Sequence, residues 1–468
     1  MDGCDMSASA VEVMYGEGWC ARSRAIIGPM TEEEALRRHV AGDPYAVLLR
    51  VAGRPLAELR ITGRAGYVGL LLFDVHGRRQ REYDYVELRR GLLHLRRHRQ
   101  WLYRGPDEAE RPEPAVHFTL NIKPDGRARR RLEHHGMFET IAHIPEEHRT
   151  LLLADFGGWT RYADAGLLGL PGPITLVPAP VPEAAGSPDG SPLWSAPAPL
   201  APGELEALFV PGSRFESYDG PVTVVEPEGA GILRLPTGRV IVADPTSLSA
   251  DDEPFTAMVP PGTYPLVLGK VERRGEWHGE ELAWEEITAA MLRIGDRRPT
   301  IAWEQALLPG QEIRLLGEGE YYGFGVDSGT AAFLDLAARD ALAADPDAAM
   351  DLAESIGDEV TCPQFHDPVS GANAIAFPSG AGDGSYPVWI GRDCDGEVTC
   401  LIADMHTVDS TRPLPPTPVS PTVVRLPPVP PAEGPLPNPA PHAETAHIFA
   451  QLLLQTVTMA RRPLPGQG

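Results

Sequence analysis

The sequence predicts a β-rich α+β protein in two parts: an antiparallel meander domain at the N-terminus and a second, mostly antiparallel β domain with a few helices. Three observations carry this. Short β-branched and aliphatic runs alternate with Gly-Arg turns from Tyr45 to Glu133, runs of the same kind recur between residues 211 and 410, and ten prolines crowd the 32 residues between Pro171 and Pro202. With 468 residues, 43% of them hydrophobic, the chain can fill more than one core.

Taken in order, the first element is a helix. Thr31-Glu32-Glu33-Glu34 is a capping box, with Thr31 at the N-cap and Glu34 three positions on, leading into Ala35 to Val40. The meander follows, its turns at Ala52-Gly53-Arg54-Pro55, His76-Gly77-Arg78-Arg79 and Pro124-Asp125-Gly126-Arg127, where glycine supplies the positive φ that tight hairpins need. These elements define a domain over residues 1–168. Residues 169–210 read as a linker, because a backbone this rich in proline lacks the donors for a helix or a central strand. The second domain, 211–412, shows strands at Val222 to Val225, Arg239 to Val242, Tyr264 to Leu268 and Thr288 to Ile294, and a late pair at Val388 to Ile390 and Val398 to Ile402 joined through Asp393-Cys394-Asp395-Gly396. Between Thr330 and Asp358 the alanine-rich pattern is helical, with Asp327 placed to cap it. A second proline tract over 413–441, 13 prolines in 29 residues, reads as extended or disordered. Residues 442–468 close the chain with an amphipathic helix, Ile448, Phe449, Leu452, Leu453 and Val457 on one face, and a tail.

Composition narrows the functional classes. The net charge is −24, and residues 1–165 are nearly balanced at 25 Lys+Arg against 24 Asp+Glu, so the rest of the chain carries the excess acid. Nucleic acid is not an expected partner of such a chain, since phosphate binding needs clustered positive charge. Only Lys123 and Lys270 are lysines, and the arginine, alanine and proline usage suggests a bacterial genome rich in GC. Cys4, Cys20, Cys362, Cys394 and Cys400 form an odd set with no C-x-x-C pair, as expected of reduced thiols. The acidic start lacks the pattern of a signal peptide, and no apolar run approaches the ~20 residues of a membrane span. A cytoplasmic protein without membrane association is expected.

The third quarter carries a resemblance. Gly262-Thr263-Tyr264-Pro265, Trp303-Glu304-Gln305-Ala306, Gly325-Val326-Asp327-Ser328-Gly329 with Phe333-Leu334-Asp335, then Phe377-Pro378-Ser379-Gly380 and Gly382-Asp383-Gly384-Ser385-Tyr386-Pro387 resemble, in that order, the bacterial family called domain of unknown function 4241. It covers about residues 211–410, with Ser328 where the family pattern has alanine. The resemblance implies a domain and no activity.

The candidate chemistry is carried by acids beside glycine. Asp244, Asp327, Asp335, Asp383 and Asp404 fall at strand ends and in glycine-rich turns, where converging loops can give a hard cation its oxygen ligands; Asp327, Asp335, Asp383 and Asp404 are the candidate metal ligands. The competing reading is that short acids in such turns cap helices and shape backbone. Cys362, His366, Cys394, Cys400 and His406 supply zinc-type ligands at spacings foreign to a zinc knuckle. Asp393 to Glu397 opens like a calcium loop but continues as a strand. A Ser379, His406 and Asp404 triad lacks the usual nucleophile elbow. The run from Arg89 to Arg99, with Trp101 and Tyr103, can meet an acidic partner or be neutralised by Glu82, Asp84 and Glu87 on the neighbouring strand.

Two functional classes remain. The favoured one is a non-catalytic protein-interaction protein, using a protein partner or self-association through the C-terminal helix, with no cofactor. The rival is a hydrolase that takes a divalent cation on the aspartates of 211–412. Catalytic residues stay unassigned, and no cofactor-binding loop is present, because Gly380 to Gly384 leads into a strand where a dinucleotide loop requires a helix.

Overall fold

The computed structural model describes residues 8–20, 25–108, 110, 116–133, 137–181, 194–277, 280–295, 298–356 and 362–415. They form two compact units, one running to Ala198 and including Arg314–Glu318, the other comprising Pro199–Ile313 and the chain from Gly319. Both are β-rich and mostly antiparallel, as the sequence predicts. The second proline tract beyond residue 415 and the C-terminal helix expected over 442–468 lie outside the described residues.

In the first unit eight successive strands each pair with the next: Tyr45–Val51, Arg54–Thr62, Tyr67–Phe73, Arg79–Arg89, Leu92–Leu102, Val116–Ile122, Arg127–Glu133 and Met137–His143. Their tight turns sit where expected, with φ of 80° at Gly53, 78° at Gly77 and 90° at Gly126. Alternate residues of the sheet, including Val47, Leu49, Leu59, Leu70 and Leu93, enter a core closed by Trp159 and Tyr162. The helix Glu32–Ala41 begins at Thr31, whose Oγ1 accepts from the Glu34 amide at 3.2 Å.

The linker reading needs correction at two places. Ile174–Pro178 is a strand, paired in parallel with Ser9–Gly16 at one edge of the sheet. Proline is tolerated there because an edge strand has one side free of ladder bonds, so Pro173 and Pro178 do not forbid pairing. Leu205–Phe209 forms a short 3-10 turn that buries Leu205 and Leu208 against Phe215 and Ile402. Two buried leucines outweigh the scarcity of donors around them.

The second unit is organised by a long hairpin, Gly262–Trp277 with Glu280–Arg293. On one side it continues through Val398–Asp404 to Gly384–Arg392; on the other it continues through Val222–Val224 and Arg214–Ser217 to Val408–Leu414. Val398–Asp404 and Val408–Leu414 lie five places apart in the sheet order yet only three residues join them, so the sheet curls and the short corner crosses from one of its sides to the other. The Met405 amide bonds to Thr288 O on the way. Pro413 and Leu414, assigned from sequence to the second proline tract, are the end of this edge strand.

A smaller sheet joins Val240–Ala243, Thr330–Asp335, Asn373–Pro378 and Gln364–His366, packed against the helices Leu336–Ala344 and Pro346–Glu354. Residues 330–335 were expected to be helical and are a strand. All six are buried, and a short continuous apolar run has no periodicity that separates strand from helix. Consequently Asp335, not Asp327, caps the first helix, and Asp345-Pro346 divides it from the second. Among the described residues no helix is long and apolar enough to cross a membrane.

Candidate functional site

Asp244 shows how the acids of the second unit are used. It ends the strand Val240–Ala243 and is 1% exposed. One carboxylate oxygen accepts from the Thr246 amide and hydroxyl, both at 2.8 Å, and from the Ser328 hydroxyl at 2.9 Å; the other accepts from the Asp327 and Ser328 amides at 2.9 and 2.8 Å. Burial pushes this carboxyl up, but the Asp327 amide, the Thr246 donors and the Ser328 hydroxyl outweigh it and hold it below the ordinary carboxylate range. Its effect is to buckle the Val326–Gly329 loop onto another strand end. That loop is tied onward, since Gly329 O accepts from the Ser379 amide at 3.0 Å. Gly380 then lies so close to Ile287 O, Met405 and Thr407 that an added Cβ would meet the Ile287 oxygen at 2.5 Å.

The four candidate ligands are dispersed. Asp335, 0% exposed, caps the helix Leu336–Ala344 through the Ala337 amide and binds the Thr237 amide and hydroxyl. Asp383 is exposed on the turn after Ser379. Asp327 is exposed beside a cleft of about 280 Å³ lined by Phe255, Leu308, Tyr322, Phe324 and the acids Asp252 and Glu253. Asp404 lines a different cleft. Among the described residues no three carboxylate, histidine or cysteine side chains gather to hold a metal ion.

The remaining motifs resolve individually. Asp393 accepts from the Asp395 and Glu397 amides at 2.9 and 3.0 Å, which makes a hairpin tip of the calcium-like sequence. Cys394 is exposed at that tip and Cys400 is buried in the sheet behind it, while burial pushes the half-buried Cys362 thiol up to about 11. Ser379 donates to Gly382 O at 2.8 Å, and the His406 ring rests edge-on against Tyr321 at 5.1 Å. In the basic run, Arg99 pairs with Glu82 at 3.3 Å, Arg97 donates to Asn121, and Arg96 approaches Asp84 at 3.8 Å with both side chains buried.

The second cleft, about 420 Å³, lies at the crossing corner and is lined by Glu216, Tyr218, Trp389, Asp404, His406 and Thr407 among others. Its support is a buried ion pair. The Arg273 guanidinium donates to Glu286 at 2.6 Å, to the Ser217 hydroxyl at 2.6 Å and to Thr407 O at 3.0 Å, and it lies 4.3 Å over the Tyr218 ring. Burial keeps the Glu286 carboxyl above its ordinary range despite Arg273. Asp404 is likewise held up, first by burial and also by Asp409, against the pull of His406, its amide and the Ser410 hydroxyl. His406 adopts φ 52°, a left-handed backbone uncommon outside glycine.

Sequence reading missed Arg273, Glu286 and Trp389. A signal existed for the first: Val271 is inward on its strand, and a period of two places Arg273 on the same face. A charged residue at an inward position needs a partner, and Glu286 on the paired strand provides it.

Fold and geometry thus define a β-rich domain whose loops are pinned by internal carboxylates. Residues 233–403, its central part, match the model of the family described as Protein of unknown function (DUF4241). No curated protein and no solved structure matches the chain. The 280 Å³ cleft is lined entirely from within the matched residues, whereas the 420 Å³ cleft takes all its lining but Trp389 from the flanking residues 200–218 and 404–411.

Proposed function

We propose that this is a non-catalytic protein-interaction protein of the bacterial cytosol, presenting preformed clefts on a rigid β scaffold. The observation that carries the reading is the use of Asp244: both of its oxygens are engaged by five donors of its own chain, so it fixes loop shape and has no lone pair directed at a cation or a substrate proton. Asp335 supports it in the same way through Thr237 and Ala337. Residues 442–468 supply a docking element for a partner protein or a second copy. No cofactor enters this reading.

Metal analysis of the purified full chain tests it. The expected result is no stoichiometric metal. One equivalent of a divalent cation, lost in Asp327→Ala and Asp383→Ala, would replace this reading with a metal-dependent hydrolase. Deleting residues 442–468 is expected to abolish self-association or partner capture while leaving the thermal transition in place.

A further inference from the structure

The 420 Å³ cleft has a lining that selects for one kind of partner group. Glu216, Asp404 and Asp409 all line it, and His406 is the one basic side chain among the described lining residues. Asp409 has exposed Arg412 at 3.4 Å, and the nearby Arg273 is committed to Glu286, Ser217 and Thr407 O. Such a surplus of acid repels anions and attracts a cation. An independent observation points to a ligand with more than charge. Trp389 and Thr407, 2% and 1% exposed, line the same cleft, yet Trp389 Nε1 and Thr407 Oγ1 have no hydrogen-bond partner among the described residues. Buried polar atoms are almost always satisfied, and an indole N–H can only donate, so the group that completes it brings an acceptor oxygen. Leu200 and Val408 add apolar surface.

An arginine or lysine within a peptide combines these features: a cationic head, a methylene stem and a nearby carbonyl oxygen. The protein holds one guanidinium in this manner already, Arg273 over Tyr218 and against Glu286. We propose that this cleft binds a basic side chain and the adjoining carbonyl of a partner polypeptide. The assignment rests on the protein-interaction reading and names the chemistry of the partner.

Calorimetric titration of the full chain with three probes tests it: N-acetyl-arginine-N-methylamide, its norleucine analogue and ethylguanidinium. The arginine probe should bind saturably, with the neutral norleucine probe weaker by about tenfold, the worth of a charge-assisted hydrogen bond. Glu216→Gln, a substitution outside the core, should weaken the arginine probe by about the same factor. Trp389→Phe should weaken the arginine probe and leave ethylguanidinium, which has no carbonyl, unchanged. Equal affinity for norleucine, an unchanged arginine affinity in Glu216→Gln, or no saturable heat would each overturn the proposal; if Trp389→Phe does not fold, Glu216→Gln decides. A failure here in metal-free protein leaves the protein-interaction reading standing, whereas bound metal would overturn that reading by a separate measurement.

Discussion

In the meander unit Glu58 meets Arg60 on its own strand at 3.2 Å and buried Asp84 faces Arg96 on the neighbouring strand at 3.8 Å, so charge is matched by charge. In the other unit Asp244 and Asp335 are buried with no cationic partner among the described residues and are matched by backbone amides and hydroxyls. The two solutions differ in what mutation can undo. An ion pair is dispensable as a pair, because removing both charges removes the need for either. Amides brought together by a carboxylate remain when the carboxylate is gone, and they then lack the acceptor that ordered them.

The largest expected effect is at Asp244. Asp244→Ala leaves five donors without their acceptor and should destabilise the second unit by about 4–5 kcal/mol in urea unfolding. A loss below about 1 kcal/mol would show that the loop does not depend on it. Next comes Arg96→Met, which leaves Asp84 buried beside Tyr67 with no opposite charge, at a cost of about 3–5 kcal/mol. Adding Asp84→Asn keeps an acceptor for the Tyr67 hydroxyl and should recover most of the loss; a double variant no better than Arg96→Met would break the contrast between the units.

Acidity separates Asp244 from Asp404. The depressed Asp244 carboxyl contributes stability that is present above the ordinary carboxylate range and lost as pH falls through its folded value. The raised Asp404 carboxyl behaves oppositely, favouring the fold at acidic pH and losing that contribution as pH rises through its elevated value. Asp404→Asn, with an oxygen still available to the His406 amide, is therefore expected to raise the urea midpoint at neutral pH and to lose that advantage in acid. A gain that does not vary with pH would point to packing instead. The smallest effect is Thr31→Ala, about 1 kcal/mol, seen by hydrogen exchange as fraying confined to the first turn of Glu32–Ala41.

The legibility of this chain follows the distance over which each feature is decided. Thr31 and Glu34 are three residues apart, and the cap formed as read. The hairpin tip at Asp393–Gly396 and the meander turns are similarly local, as is the family resemblance, which rests on short motifs in order. The site was less readable. Asp327 was expected to cap a helix beginning near Thr330, but residues 330–335 are a fully buried strand and the cap passed to Asp335. Arg273 and Glu286 carried a usable sign in their inward register, although nothing in their neighbourhood told of Ser217, Thr407 or Tyr218.

By itself the sequence determined β-richness, turn positions and the first helix cap, because each depends on φ preferences and side-chain reach within a few residues. Tertiary structure alone decided that Ile174–Pro178 joins a sheet, that Asp404 is buried, and that the amide of Asp327 meets a carboxylate 83 positions earlier. Those outcomes depend on which distant segment arrives to exclude water, and burial is a property of the assembled chain that no local pattern contains.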